Sequence, residues 1–175
     1  PRVCMYSVPF WLVLATALAV RALYILQLAS SPLYDYPVVD AKTYVLQAES
    51  LAAGNWLGRG EGPFWQPPLY PYLLGLVKAA FPDSFFDAIR WLQALFGSFT
   101  CALTYLLGAR VFSRRVGLAA GLAAGLYGTL VFFDGELLPA SLVTLLDTLG
   151  LLLLHRALQR DRWLAFLGTG VVFGL

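Results

Sequence analysis

Four apolar runs of the length that a membrane crossing demands leave this chain no soluble fold to adopt. They extend from Val8 to about Leu28, from about Ile89 to Phe112, from Val116 to Phe133 and from Leu137 to Leu154. A fifth, Trp163 to Leu175, has about 13 residues, where one crossing takes about 20. Only 13 % of the residues are charged and 59 % are hydrophobic, whereas a soluble domain carries about 25 % charge. Lipid rather than a single core must cover so much apolar surface. The expectation is an all-α membrane protein, a multi-pass transmembrane helical bundle. Residues 1–175, starting at Pro1 without a methionine, are expected to be the N-terminal part of one transmembrane domain of a longer protein, and inactive alone.

The first run competes with a secretory signal peptide, since Arg2 precedes it and Leu28-Ala29-Ser30 resembles a cleavage site. It is too long for a signal core, and Arg21 and Gln27 fall where that core should continue, so an uncleaved span is the better reading. The net charge of +2 has no basic patch behind it, which argues against a nucleic-acid partner. Cys4 and Cys101 have no metal-ligand spacing. Basic residues set the orientation. Arg110 at the end of the second span and Arg114 and Arg115 after it form one group, and Arg156, Arg160 and Arg162 follow the fourth. Both groups and Arg2 fall on one side, read as cytoplasmic, so a membrane-embedded chain with a cytoplasmic N-terminus is expected. The segment Ser30–Ala88 and the turn Asp134–Leu138 then face outward.

Within the third span Gly117, Gly121 and Gly125 share one helix face, where another helix can approach closely. The outer segment of about 59 residues between spans one and two is longer than a simple connection. From Asp40 to Ala53 apolar positions recur at helical spacing, and Gly54 ends the pattern. Pro67 and Pro68 exclude a helix, while Pro71 suits the first turn of one reaching about Phe81. Trp56, Phe64, Trp65, Tyr70 and Tyr72 suit the headgroup zone. This long outer loop is therefore expected to carry two interfacial helices.

Three acids gather at the outer boundary: Asp40 at the start of the first interfacial helix, and Asp134 and Glu136 in the turn after the third span. Carboxylates so placed can act as a general base or as ligands of a metal or hydroxyl. The plainer alternatives are a helix N-cap for Asp40 and a solvated turn for the other two. Arg21 and Asp147 lie within spans, where ionisable groups need a partner or a water-filled cavity. Their depths differ by about 5 Å at 1.5 Å per residue, which predicts an Arg21–Asp147 pair of structural purpose. His155 falls at the cytoplasmic end, a surface position.

The ordered set Arg21, Asp40-Ala41-Lys42-Thr43-Tyr44, Ala53-Gly54, Pro67-Pro68-Leu69-Tyr70-Pro71 and Phe133-Asp134-Gly135-Glu136-Leu137-Leu138 resembles the N-terminal part of a GT-C fold glycosyltransferase. It is similar to the bacterial branch related to dolichyl-phosphate-mannose protein mannosyltransferases and aminoarabinose lipid A transferases. The resemblance implies a polyprenyl-phosphate-linked sugar as donor, transfer to an acceptor hydroxyl on the outer, periplasmic side, and inversion by a single displacement. It implies that Asp40 is the general base and that Asp134 and Glu136 form a second acidic motif; the candidate substrate-binding residues are Lys42, Tyr44, Arg59, Pro68, Tyr70 and Arg90. Lys42, Arg59 and Arg90 are the outer-side cations available to a departing phosphate. Asp134 and Glu136 can hold a divalent metal, but two acids are too few to require one; no other cofactor is implied, and the acceptor is not specified.

Two other classes compete. A transporter or flippase would line a pathway with Arg21 and Asp147, but transporters gather polar groups at broken helices near the midplane, whereas here they gather at one surface. A scaffold would use the outer loop only to dock a partner. The transferase alone requires Asp40 and the Asp134–Glu136 turn to converge.

Overall fold

A computed structural model describes residues 4–32, 34–58, 66–160 and 163–175. Among the described residues there are eight helices and no strand: α1 (Cys4–Leu28), α2 (Asp40–Ala52), α3 (Leu69–Ala80), α4 (Phe85–Val111), α5 (Arg114–Leu126), α6 (Gly128–Gly135), α7 (Ala140–Arg160) and α8 (Trp163–Phe173). Three stretches, Val8–Leu28, Phe85–Val111 and Ala140–Gln159, are each long and apolar enough to cross a membrane. The fold is thus the expected all-α membrane bundle. α4 is its axis, packed against α1, α5, α6 and α7, with α8 resting on α7.

The third expected span is not one straight helix. It breaks at Tyr127, whose backbone is extended (φ −73°, ψ 107°), and α5 and α6 meet at 51°. A break strands backbone carbonyls that a continuous helix would satisfy. Here Arg21 reaches across from α1 and donates to the Gly125 carbonyl at 3.3 Å.

Below the break the glycine face does what its spacing foretells, against two helices instead of one. A Cβ on Gly117 would stand 2.5 Å from the Tyr105 carbonyl oxygen and 2.6 Å from the Ala109 nitrogen, both on α4. One on Gly121 would meet the Cys101 carbonyl at 3.0 Å and Val13 of α1 at 3.1 Å, and one on Gly125 would meet Ala17 of α1 at 3.3 Å. The missing side chains let α5 settle into the crevice between α1 and α4, around a core of Val13, Ala17, Cys101, Tyr105 and Ala109.

At the other end, α2 and α3 form an ordered cap. α2 buries Ala41, Tyr44, Val45, Ala48 and Leu51, a helical stripe that packs with Tyr70 and Leu74 of α3, Phe85 and Ile89 of α4, and Leu137. The Tyr72 hydroxyl donates to the Trp56 carbonyl at 2.6 Å while the two rings stack, tying the exit of α2 to α3. A groove of about 450 Å³ at the opposite end is lined by the last turns of α4, the first turns of α5 and the last turns of α7, including His155. The basic residues at these helix ends (Arg110, Arg114, Arg115, Arg156) therefore share the end away from the cap.

Candidate active site

The site is assembled on one face of α4. Asp87, Arg90 and Gln93 recur at three-residue spacing and Gly97 follows by four, so the four positions run as one stripe along an otherwise apolar helix. Polar side chains on such a helix turn inward and find partners. Arg90 is 5 % exposed; its Nε donates to the Gly135 carbonyl at 3.0 Å and its Nη2 to the Tyr34 carbonyl at 2.7 Å. The Tyr34 ring lies under the guanidinium, 3.8 Å from Cζ to centroid, and the Tyr34 hydroxyl donates to Asp87. Gln93 is wholly buried. Its Nε2 donates to the carbonyls of Asp134 at 3.1 Å and Glu136 at 2.5 Å, and its Oε1 accepts from the Tyr70 hydroxyl at 2.6 Å. All three carbonyls of the 134–136 turn are therefore held by α4.

The two acids of that turn have different environments. Asp134 is buried against Arg21, with Nε to Oδ2 at 2.6 Å and side chains only 5 % and 1 % exposed. Gly97 makes the room: a Cβ there would fall on the Asp134 carboxylate and 2.6 Å from the Arg21 Nε. The expected Arg21–Asp147 pair does not form. Arg21 turns toward the α5–α6 break and the turn beyond it, where a buried carboxylate and an unsatisfied carbonyl both await a donor, and Asp147 is exposed on α7. Glu136 is half-buried, and its carboxylate has no hydrogen bond or ion pair among the described residues. This geometry does not suit a divalent ion. One of the two expected ligands is already neutralised by a buried guanidinium, and among the described residues no three acid, histidine or cysteine side chains cluster.

Asp40 is exposed at the first position of α2. The N-cap is Val39, with no side-chain cap bond, so capping does not account for Asp40. Val39 has φ 52° and ψ −124°, a conformation that a β-branched residue reaches only under strain. The Asp40 carboxylate makes no hydrogen bond or ion pair among the described residues. Its charge reaches Tyr44, whose hydroxyl is pushed up from its ordinary range by burial and then by Asp40. Tyr44 meets Tyr70 edge to face, centroids 5.0 Å apart, and Tyr70 bonds Gln93 under the acidic turn. The neighbours of the two free acids, Ala41 and Leu137, belong to one buried cluster. The cap and the turn thus converge on a shared core.

The expected substrate-binding residues separate. Tyr44 and Tyr70 are 4 % and 2 % exposed and build that core, so neither ring offers a face to a ligand. Pro68 is exposed at the start of α3. Lys42 is exposed and lines a groove of about 430 Å³ at the cap with Asp35, Tyr36 and Glu49. Arg90 is buried beside the turn, with its Nη1 lacking a partner among the described residues. Arg59 lies outside the described residues. Sequence reasoning missed Gln93, Gly97 and the true partner of Arg21. The three-residue polar spacing on α4 was the available signal for Gln93.

Comparison with known proteins adds one match. The family model described as "Dolichyl-phosphate-mannose-protein mannosyltransferase" matches residues 65–175, a stretch that holds α3 to α8 and the 134–136 turn; Arg21 and Asp40 precede it. No curated protein and no solved structure gives a significant match.

Proposed function

From the fact that this chain belongs to the dolichyl-phosphate-mannose-protein mannosyltransferase family, and is thus an integral membrane glycosyltransferase, we propose a specific reaction. It transfers a sugar from a polyprenyl-phosphate-linked donor to an acceptor hydroxyl, at the outer end of the bundle. Asp40 takes the proton of the acceptor hydroxyl as its oxygen attacks the anomeric carbon. The bond from that carbon to the phosphate oxygen breaks, and the phosphate leaves with the electron pair. A single displacement inverts the anomeric centre. The observation that carries this reading is the pair of carboxylates unpartnered among the described residues, Asp40 and Glu136, each adjacent in sequence to a residue of the same buried cluster.

Of the outer cations, Arg90 is the best placed to meet the departing phosphate. It is a buried guanidinium with a free Nη1 and no carboxylate within ion-pair distance among the described residues, a charge that an incoming anion would complete. Glu136 is the acid left to hold the acceptor, while Asp134 anchors the turn. The arginine-bearing helix ends lie opposite the cap, which supports a cytoplasmic placement for them and a site on the other side; the bacterial inner membrane, with that side the periplasm, rests on the resemblance to the bacterial branch. The break at Tyr127 is a feature that a transporter would share, but its stranded carbonyl is taken by Arg21, and the unpaired acids lie elsewhere.

The test is sugar transfer from a polyprenyl-phosphate donor by the complete protein in lipid, wild type against Asp40→Asn. A loss of about 10²- to 10⁴-fold, the range for a lost general base, with normal insertion supports the reading. Unchanged transfer removes Asp40 from the chemistry, and no transfer from any such donor rejects the donor class.

A further inference from the structure

Gln93 is the point at which the outer cap and the acidic turn are joined, and its amide can be oriented in only one way. Two carbonyls, of Asp134 and Glu136, face one end of the side chain, and only an NH₂ can satisfy both. The other end must then be the oxygen, which accepts the Tyr70 hydroxyl. With Gln93 wholly buried and Tyr70 2 % exposed, water is kept from the bonds to Tyr70 and Asp134, so both are strongly enforced. Burial, first of all, pushes the Tyr70 hydroxyl well above its ordinary range, which keeps it protonated and donating. The Glu136 carbonyl also accepts from the Leu138 nitrogen at 2.8 Å, so the Gln93 bond bears on the two residues on either side of the buried Leu137.

We infer that Gln93 is a positioning residue of the transfer reaction: oriented by Tyr70 of α3, it fixes the backbone of the 134–136 turn and thereby the place of the Glu136 carboxylate. It touches no substrate. Its influence passes through the carbonyls of the turn, and Tyr70, buried and out of reach of a ligand, contributes by holding the amide. The inference rests on the transferase reading above, but it carries a readout independent of activity.

Three variants of the complete protein in lipid test it. Gln93→Leu keeps the volume and removes both donors; Tyr70→Phe removes only the hydroxyl that orients the amide. Transfer is expected to fall about 10- to 100-fold in kcat for Gln93→Leu and less for Tyr70→Phe, at 1.4 kcal/mol per tenfold, with donor KM within about threefold. The double variant should be no worse than Gln93→Leu, because the two act as one unit. Gln93→Glu supplies the sharper signature. A protonated glutamic acid imitates the amide, with one O–H for a carbonyl and one oxygen for Tyr70, whereas the carboxylate would face two carbonyls. Its kcat should therefore acquire an ionisation that wild type lacks, falling as pH rises. Independently of chemistry, backbone amides of residues 135–138 should exchange about tenfold faster with deuterium in Gln93→Leu than in wild type. Wild-type pH dependence in Gln93→Glu, or unchanged kcat in Gln93→Leu, overturns the positioning role. If wild type transfers nothing from a polyprenyl-phosphate donor, the reaction assigned above fails, and the exchange measurement still judges whether Gln93 holds the turn; an unchanged exchange rate then overturns this inference too.

Discussion

The two ends of this bundle are held together by opposite means. At the cap end, α1, α4 and the 134–136 turn are joined through buried polar groups: the Arg21–Asp134 pair, the Arg90 fork and the Gln93 amide. Toward the other end α4 and α5 meet backbone to backbone, where Gly108 and Gly117 approach so closely that a Cβ on Gly108 would lie 2.9 Å from the Gly117 Cα. Glycine contact needs no partner chemistry and tolerates lipid all round it. Buried polar groups add little net stability over a well-packed apolar core, so their concentration at one end calls for a reason other than stability. Holding the 134–136 turn in one place against α4, with the Glu136 carboxylate unpaired among the described residues, is such a reason. The lesson is that the end of a membrane bundle built from demanding interactions is where to look for its chemistry.

The largest expected effect comes from breaking the polar end. Arg21→Met leaves the Asp134 carboxylate buried without its cation, which should destabilise the protein by about 3–5 kcal/mol. Arg21→Met combined with Asp134→Leu removes both charges and should recover most of that loss, since apolar replacements of buried pairs are often neutral. Denaturant unfolding in detergent micelles measures both. A double variant as unstable as the single one would mean that the Gly125 carbonyl, and not the ion pair, is what Arg21 serves. Transfer activity surviving in the double variant would remove the Asp134 carboxylate from the chemistry altogether.

Breaking the glycine end should have a smaller effect, of a different kind. Gly117→Ala places a methyl group 2.5 Å from a backbone oxygen of α4, and the helices must separate because no side chain there can yield. Overpacking of this kind costs about 1–3 kcal/mol. The matched control is Gly128→Ala, where nothing lies within 4 Å of the new Cβ, and which should be nearly silent. If thermal unfolding ranks the two variants equally, the seam is not the contact that holds α5 to α4.

The glycine end was legible in the sequence and the polar end was legible only in part, for a physical reason. A seam depends on periodicity along one helix, and Gly117, Gly121 and Gly125 display that period without reference to any other segment. Apolar length likewise announces α1, α4 and α7. Pairing between spans depends on where helices cross and turn. Depth counting brought Arg21 to Asp147 because it assumed straight helices, whereas the break at Tyr127 and the room left by Gly97 bring Asp134 within reach. Asp40, Asp134 and Glu136 were identifiable as acids at one boundary. That Asp134 is neutralised follows from Arg21 and the room left by Gly97, and its turn is held by Gln93, which carries no charge and so draws no notice in a hydropathy pattern.

The smallest expected change in stability tests whether the cap end is strained for a purpose. Val39 is 80 % exposed and holds φ 52°, a conformation that costs a non-glycine residue about 1–3 kcal/mol. Val39→Gly removes that strain and loses no buried surface, but adds about 0.5–1 kcal/mol of backbone entropy to be lost on folding. The variant should therefore be as stable as wild type or more stable by about 1 kcal/mol. If the strain serves to aim Asp40 from the first turn of α2, the same change should lower kcat by about tenfold, because the residue before the base can then take several conformations. Stability rising as activity falls would show the strain to be part of the site. Unaltered transfer in a stabilised Val39→Gly protein would mean that Asp40 is aimed by the packing of Ala41 and Tyr44 alone, and that the two ends of the bundle differ in how they are joined but not in how much strain they hold.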